Sequence, residues 1–129
     1  VWSASKVCSA TAVGSVLRVP ESALDAVTGL SGSGPAYVFA FIEALVEAGA
    51  REGLAPETAR ALALETVHGA ARLALESGED PAVLRERVSS PGGTTLAGLG
   101  ALSEGGFREA ILAAVHRATE RSKALAGGG

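Results

Sequence analysis

The sequence predicts an all-α fold, a helical bundle with two long central helices. Three observations lead there. Apolar residues recur at steps of three and four through most of the chain, the spacing of one helix face. No stretch alternates with period two for long enough to make a strand. Proline and glycine fall at the ends of the periodic runs, where they start and stop helices. With 129 residues the chain is long enough for one domain with a core.

In order, residues 1–19 are rich in Ala, Ser and Val, and predict a helix over about 4–13 followed by an extended stretch from Val16 to Val19. Pro20 punctuates. Glu21 to Leu30 predicts a short helix with Leu24, Val27 and Leu30 on one side and Asp25 solvated on the other. Ser31-Gly32-Ser33-Gly34-Pro35 is a break and then a start, with Ser33 or Gly34 as cap and Pro35 in first helical position. From Ala36, the stripe Val38, Phe41, Ile42, Leu45, Val46 and Gly49 predicts an amphipathic helix stopped near Gly53. Phe39 lies outside that stripe. Tyr37 is expected to be a half-buried core tyrosine.

Residues 57–76 predict the second long helix, entered through Pro56. Its apolar positions lie on nearly all sides, which predicts burial all round, more easily arranged between two subunits than within one. Asp80 is placed to cap the next helix, with Pro81 inside it and Val83, Leu84 and Val88 as its apolar side. Arg85, Glu86 and Arg87 read as a solvated face. Gly105-Gly106 breaks the chain again, and Phe107 to Lys123 predicts the last helix, with residues 126–129 as a flexible tail.

Composition narrows the function. The net charge is −3 and no Lys/Arg cluster appears, which argues against nucleic acid as partner. Cys8 is the only cysteine, so no internal disulfide or cysteine zinc site is expected, and the cytoplasm fits best. A metal role for His68 needs partners at suitable spacing, and His116 is the only other histidine, with no carboxylate arranged as a helix ligand motif requires, so no metal is expected and a packed or interfacial role suits His68. The uncharged stretch between Asp25 and Glu43 is interrupted by Gly32, Gly34 and Pro35, so no membrane span is expected. Val1-Trp2-Ser3 has no basic region or apolar core of a signal peptide, and no initiator Met, which suggests a fragment or processed chain. Mean hydropathy is +0.30 with aromatics only 4%, so the apolar surplus is mostly small and aliphatic, suited to close helix approach against another subunit.

The stretch with chemistry is Ser89-Ser90-Pro91-Gly92-Gly93-Thr94-Thr95. Pro91 cannot continue a helix, Gly92 and Gly93 allow a tight turn, and Thr94 or Thr95 can cap a helix from Leu96 to about Leu102. Such an end offers unpaired N–H groups, hydroxyls and the positive pole of a helix, all of which favour an anion. The same residues also read as a bundle loop with a good cap.

Two longer motifs go further. Asp25-Ala26-Val27-Thr28-Gly29-Leu30-Ser31-Gly32-Ser33-Gly34-Pro35-Ala36-Tyr37 resembles the start of the C-terminal domain of the pyrroline-5-carboxylate reductases. Arg87 to Thr95 resembles that family's signature loop, and Glu104-Gly105-Gly106-Phe107-Arg108 its continuation. The resemblance covers about Val16 to Leu125, and residues 1–15 match poorly.

The resemblance implies reduction of 1-pyrroline-5-carboxylate to L-proline with NADPH or NADH, as the last step of proline synthesis. It implies an N-terminal nucleotide-binding half and a C-terminal helical domain forming an interlocked homodimer, with dimers that often assemble further into rings. This chain has no Gly-x-Gly-x-x-Gly after a strand, so the isolated chain is expected to be inactive. On this reading the N–H groups of Gly93, Thr94 and Thr95 bind the substrate carboxylate, with Gly92 opening the loop and the Ser90 and Thr95 hydroxyls assisting. Thr95 is the catalytic candidate, beside the ring nitrogen. Thr28 matches a position near the cofactor, or is a helix hydroxyl bonding backwards. The competing reading is a non-catalytic helical oligomerisation module.

Overall fold

The computed structural model describes residues 17–128. Among these there is no strand, and the all-α expectation holds. The expected helix over 4–13 lies outside the described residues. After an irregular start, a 3-10 turn Glu21–Ala23 runs into α1 (Leu24–Val27) and then a π-helical turn, Thr28–Gly32. There follow α2 (Gly34–Arg51), α3 (Pro56–Ser77), α4 (Pro81–Arg87), α5 (Thr94–Glu104) and α6 (Phe107–Gly127). The sequence anticipates α2 and α3 as the long helices. At 21 residues α6 joins them, running past its expected end at Lys123.

The local chemistry explains each boundary. Pro56 and Pro81 each occupy a first-turn position, where a missing N–H costs nothing. α2 ends in a Schellman motif: Leu54 N–H reaches Gly49 O at 3.0 Å and Gly53 N–H reaches Ala50 O at 3.0 Å, with Gly53 at φ +97°. α3 ends on Gly78 in the left-handed region. Asp80 caps α4 as expected, accepting from Ala82 N–H at 2.7 Å.

The chain divides into two compact units, one made of residues 17–37 with 108–128 and the other of residues 38–107. In the first, Gly29 is buried and its missing side chain is what lets the π turn meet α6. A Cβ there would lie 2.2 Å from Thr119 Oγ1 and 2.8 Å from Val115 O. Tyr37 is half-buried, as expected, and its hydroxyl lies 3.1 Å from Gly29 O and 3.4 Å from Ala114 O. Asp25 is not simply solvated: it is half-buried and accepts from Ser122 Oγ at 2.7 Å.

In the second unit α2 meets α3 through small residues. A Cβ on Gly49 would stand 3.1 Å from Ala59 Cβ, and Ala59 and Ala63 are the buried hydrophobic residues. Phe41 and Phe107 stack at a tilt, with ring centroids 6.1 Å apart. Much of the remaining apolar set is left half-buried or exposed. Leu62, Leu73 and Leu75 of α3 are 53%, 50% and 80% exposed, and His68 is exposed too, rather than packed. The burial all round predicted for α3 is therefore not supplied by its own chain.

The helical run Glu21–Arg51 is long and apolar enough, by length and composition alone, to cross a membrane. The core helix of a soluble protein passes the same test. This run changes helix type at Thr28 and again at Ser33, and it carries Gly32, Gly34 and Pro35 at its middle.

Candidate functional site

The loop between α4 and α5 is built by one tight turn. Gly93 N–H donates to Ser90 O at 3.0 Å, with Pro91 and Gly92 between them and Gly92 at φ +70°. Proline second and a left-handed residue third make this a type II turn, which glycine fits without strain. Gly93 then stands extended, at φ −84° and ψ 173°, as the residue before α5. A side chain at Gly93 would press on Ser90, with its Cβ 3.1 Å from the Ser90 carbonyl oxygen.

Two expectations change here. α5 begins at Thr94, two residues before the expected Leu96, so Thr94 and Thr95 lie in its first turn instead of capping it. The cap is Gly93, which has no side chain to cap with, because the type II turn itself delivers the chain into the helix. Gly93 N–H, one of the three amides expected to face a carboxylate, is committed inside the loop to Ser90 O.

The amides of Thr94, Thr95 and Leu96 find no acceptor among the described residues; the first bond entering the helix is Ala97 N–H to Gly93 O at 3.4 Å. The hydroxyls of Ser90, Thr94 and Thr95 are exposed and likewise have no partner among the described residues, whereas Ser89 Oγ donates back to Arg85 O at 2.6 Å. The loop thus brings together unpaired amides and hydroxyls with no anionic side chain of their own segment beside them. This is a donor set complementary to a small carboxylate.

Thr28 lies elsewhere in the fold, in the first unit. Its hydroxyl donates to Leu24 O at 3.0 Å, the backward bond, so what Thr28 offers outward is an acceptor lone pair. It lines a hollow of about 270 Å³ with Ser33, Ala118, Arg121, Ser122 and Leu125. A larger open groove of about 500 Å³ runs between Leu30 and the α6 residues Ile111, Val115, His116 and Thr119. No cluster of His, Cys, Asp or Glu able to hold a metal occurs among the described residues.

One contact of the site's surroundings was not legible in the sequence. Arg87 does not simply face solvent: its guanidinium forks onto Glu79, Nη1 to Oε2 at 2.8 Å and Nη2 to Oε1 at 2.5 Å. The hydrogen bond from Arg87 holds the Glu79 carboxyl below its ordinary value of 4.5. No helical periodicity links two residues eight apart across a corner, so only the geometry reveals the pair.

The family described as pyrroline-5-carboxylate reductase dimerisation matches residues 21–125. The chain belongs to that family. It is 52% identical over 115 residues to the pyrroline-5-carboxylate reductase of Methanosarcina acetivorans, covering 89% of this chain and 43% of that protein. It is 51% identical over 114 residues to the enzyme of the same name from Arabidopsis thaliana, covering 88% and 41%.

Solved structures agree. The pyrroline-5-carboxylate reductase of Coxiella burnetii superposes with a TM-score of 0.80 at 45% identity, covering 83% of this chain and 40% of that one. The Plasmodium falciparum pyrroline carboxylate reductase with NADP bound gives a TM-score of 0.80 at 38% identity, covering 83% and 43%. The chain therefore spans under half the length of the relatives it matches. What it shares with them is the helical dimerisation domain.

Proposed function

We propose that this domain is the C-terminal half of a pyrroline-5-carboxylate reductase, reducing 1-pyrroline-5-carboxylate to L-proline in the cytoplasm with NADPH or NADH. The observation that carries the reading is the loop Ser90–Thr95, with the Thr94 and Thr95 amides unpaired at the start of α5. Membership of the dimerisation family and the shared name of its relatives support it. The domain itself is assigned to residues 16–125, with residues 126–129 as a tail.

The reaction adds a hydride to the imine carbon and a proton to the ring nitrogen. The nicotinamide supplies the hydride when bound. Everything else asked of this chain is placement, and holding both reactants in register can account for much of a rate enhancement. The Thr94 and Thr95 amides hold the substrate carboxylate, aided by the Ser90 hydroxyl. Gly92 makes the turn, and Gly93 leaves room above it. Neutral donors at a helix start bind a carboxylate without the grip of an arginine fork, which suits release of proline. Thr95 stands by the ring nitrogen and makes the polar contact there.

Thr28 fits the reactive end of the cofactor by hydrogen-bond polarity. Its donor is held by Leu24 O, leaving an acceptor suited to the carboxamide N–H of a nicotinamide. The described residues contain no strand–glycine-loop–helix unit to hold the dinucleotide, so binding it needs a nucleotide-binding half outside the matched domain. The isolated chain is accordingly inactive.

The exposed apolar surface of α3 is the surface a second copy covers, giving an interlocked homodimer that assembles further into rings. The test is an assay of the full-length protein carrying this domain. Oxidation of NADPH or NADH that depends on 1-pyrroline-5-carboxylate, with L-proline as product, is the expected result. A dimer without that activity would instead make the domain a non-catalytic oligomerisation module.

A further inference from the structure

We propose that the Glu79–Arg87 ion pair is the positioning element that aims the carboxylate loop. The inference rests on the reading above that Ser90–Thr95 holds the substrate.

α4 is seven residues long and buries none of them. A helix that short has little stability of its own. Apolar packing holds it weakly, since Val83 and the following Val88 are 47% and 62% exposed and Leu84 is only half-buried. Upstream, Gly78 closes α3, its N–H on Ala74 O at 3.2 Å, and turns the chain out of that helix at φ +65°. Downstream, the turn at Ser90 begins two residues after Val88. The direction of α4 therefore sets where the loop points.

Most of the polar contacts around α4 fix its shape alone. Asp80 caps the start, and the Ser89 hydroxyl and N–H close the end on Arg85 O and Glu86 O. None of these ties the far end of α4 to anything outside it. Arg87 does. It is the last residue of α4, and its fork returns to Glu79, ahead of the first. Glu79 is itself held to the end of α3 by its N–H, which donates to Ser77 Oγ at 3.2 Å. The path Ser77–Glu79–Arg87 thus bridges the Gly78 turn and leads to Ser90. A guanidinium fork fixes orientation as well as distance, which a single point charge does not. Glu79 and Arg87 touch no reacting group, so they act through the loop.

The test uses the full-length enzyme and four variants: Arg87→Gln, Arg87→Glu, Glu79→Arg and the double charge exchange E79R/R87E. We expect Arg87→Gln to raise the KM for 1-pyrroline-5-carboxylate about 3-fold, and each single reversal to raise it about 3- to 10-fold. The KM for the nucleotide should stay within about 2-fold, and the double exchange should return the imine-acid KM most of the way to wild type. Three results would overturn the proposal: unchanged imine-acid KM in all the single variants, an equal rise in both KM values, or a double exchange no better than the worse single. A wild-type enzyme that does not reduce the imine acid removes the parent reading. A wild type that reduces it, with variants indistinguishable from it, removes only this inference.

Discussion

At the scale of single residues, the site depends on what is missing as much as on what is present. Gly29 is buried with no space for a side chain, its notional Cβ 2.2 Å from Thr119 Oγ1 and 2.8 Å from Val115 O. Gly29→Ala should lower stability by about 1–3 kcal/mol, the range for overpacking a close contact, and urea denaturation would measure it. A neutral result would mean that the π turn can move off α6. Gly92 is required for a different reason, its positive φ, so Gly92→Ala should raise the imine-acid KM without comparable loss at the nucleotide. Residue identity was legible in the sequence where the backbone demanded it: Pro91 and Gly92 announce a turn, and Asp80 announces a cap. It was not legible where contacts join distant positions. Nothing local marks Asp25 as the acceptor of Ser122 Oγ, and a carboxylate opposite an apolar stripe looks solvated.

At the scale of elements, most helix boundaries came through, while the start of α5 and the end of α6 shifted. The stops at Gly53 and Gly78 follow from left-handed glycines. The start of α5 was expected too late because threonine is a good cap in general, while here the type II turn lets Gly93 lead directly into the helix. At α4, Asp80→Ala should cost about 1 kcal/mol through loss of the bond to Ala82 N–H, read from the denaturation midpoint. The Glu79–Arg87 pair adds a pH dependence of known sign. Glu79's pKa is lowered in the fold, so the stability it contributes is present above its ordinary 4.5 and is lost as pH falls through the lowered value. The melting-temperature difference between wild type and Arg87→Gln should therefore be larger at about pH 7 than well below pH 4.5, though small throughout for an exposed pair. A difference that grew on acidification would contradict the pairing.

At the scale of the whole molecule, the sequence pattern of α3 carried more than its own chain can explain. Apolar positions on nearly all sides predict a buried helix, yet Leu62, Leu73 and Leu75 remain half or more exposed. Membership of a dimerisation family supports a second copy as the missing surface. Sedimentation should give at least twice the chain mass of 12.8 kDa, and the melting temperature should rise with protein concentration. Leu62→Glu with Leu73→Glu should abolish both behaviours; a monomer that melts independently of concentration in the unsubstituted chain would contradict the account. The central claim, however, is that the start of α5 holds the imine acid, its carboxylate on the Thr94 and Thr95 amides and its ring nitrogen at the Thr95 hydroxyl. Thr95→Ala in the full-length enzyme tests it most directly. Loss of a hydrogen bond to a charged or polarised group, about 1.5–3 kcal/mol, predicts a rise of about 10-fold or more in the KM for 1-pyrroline-5-carboxylate, with the nucleotide KM essentially unmoved. Unaltered kinetics with both substrates would contradict the placement of the substrate ring at the Thr95 hydroxyl.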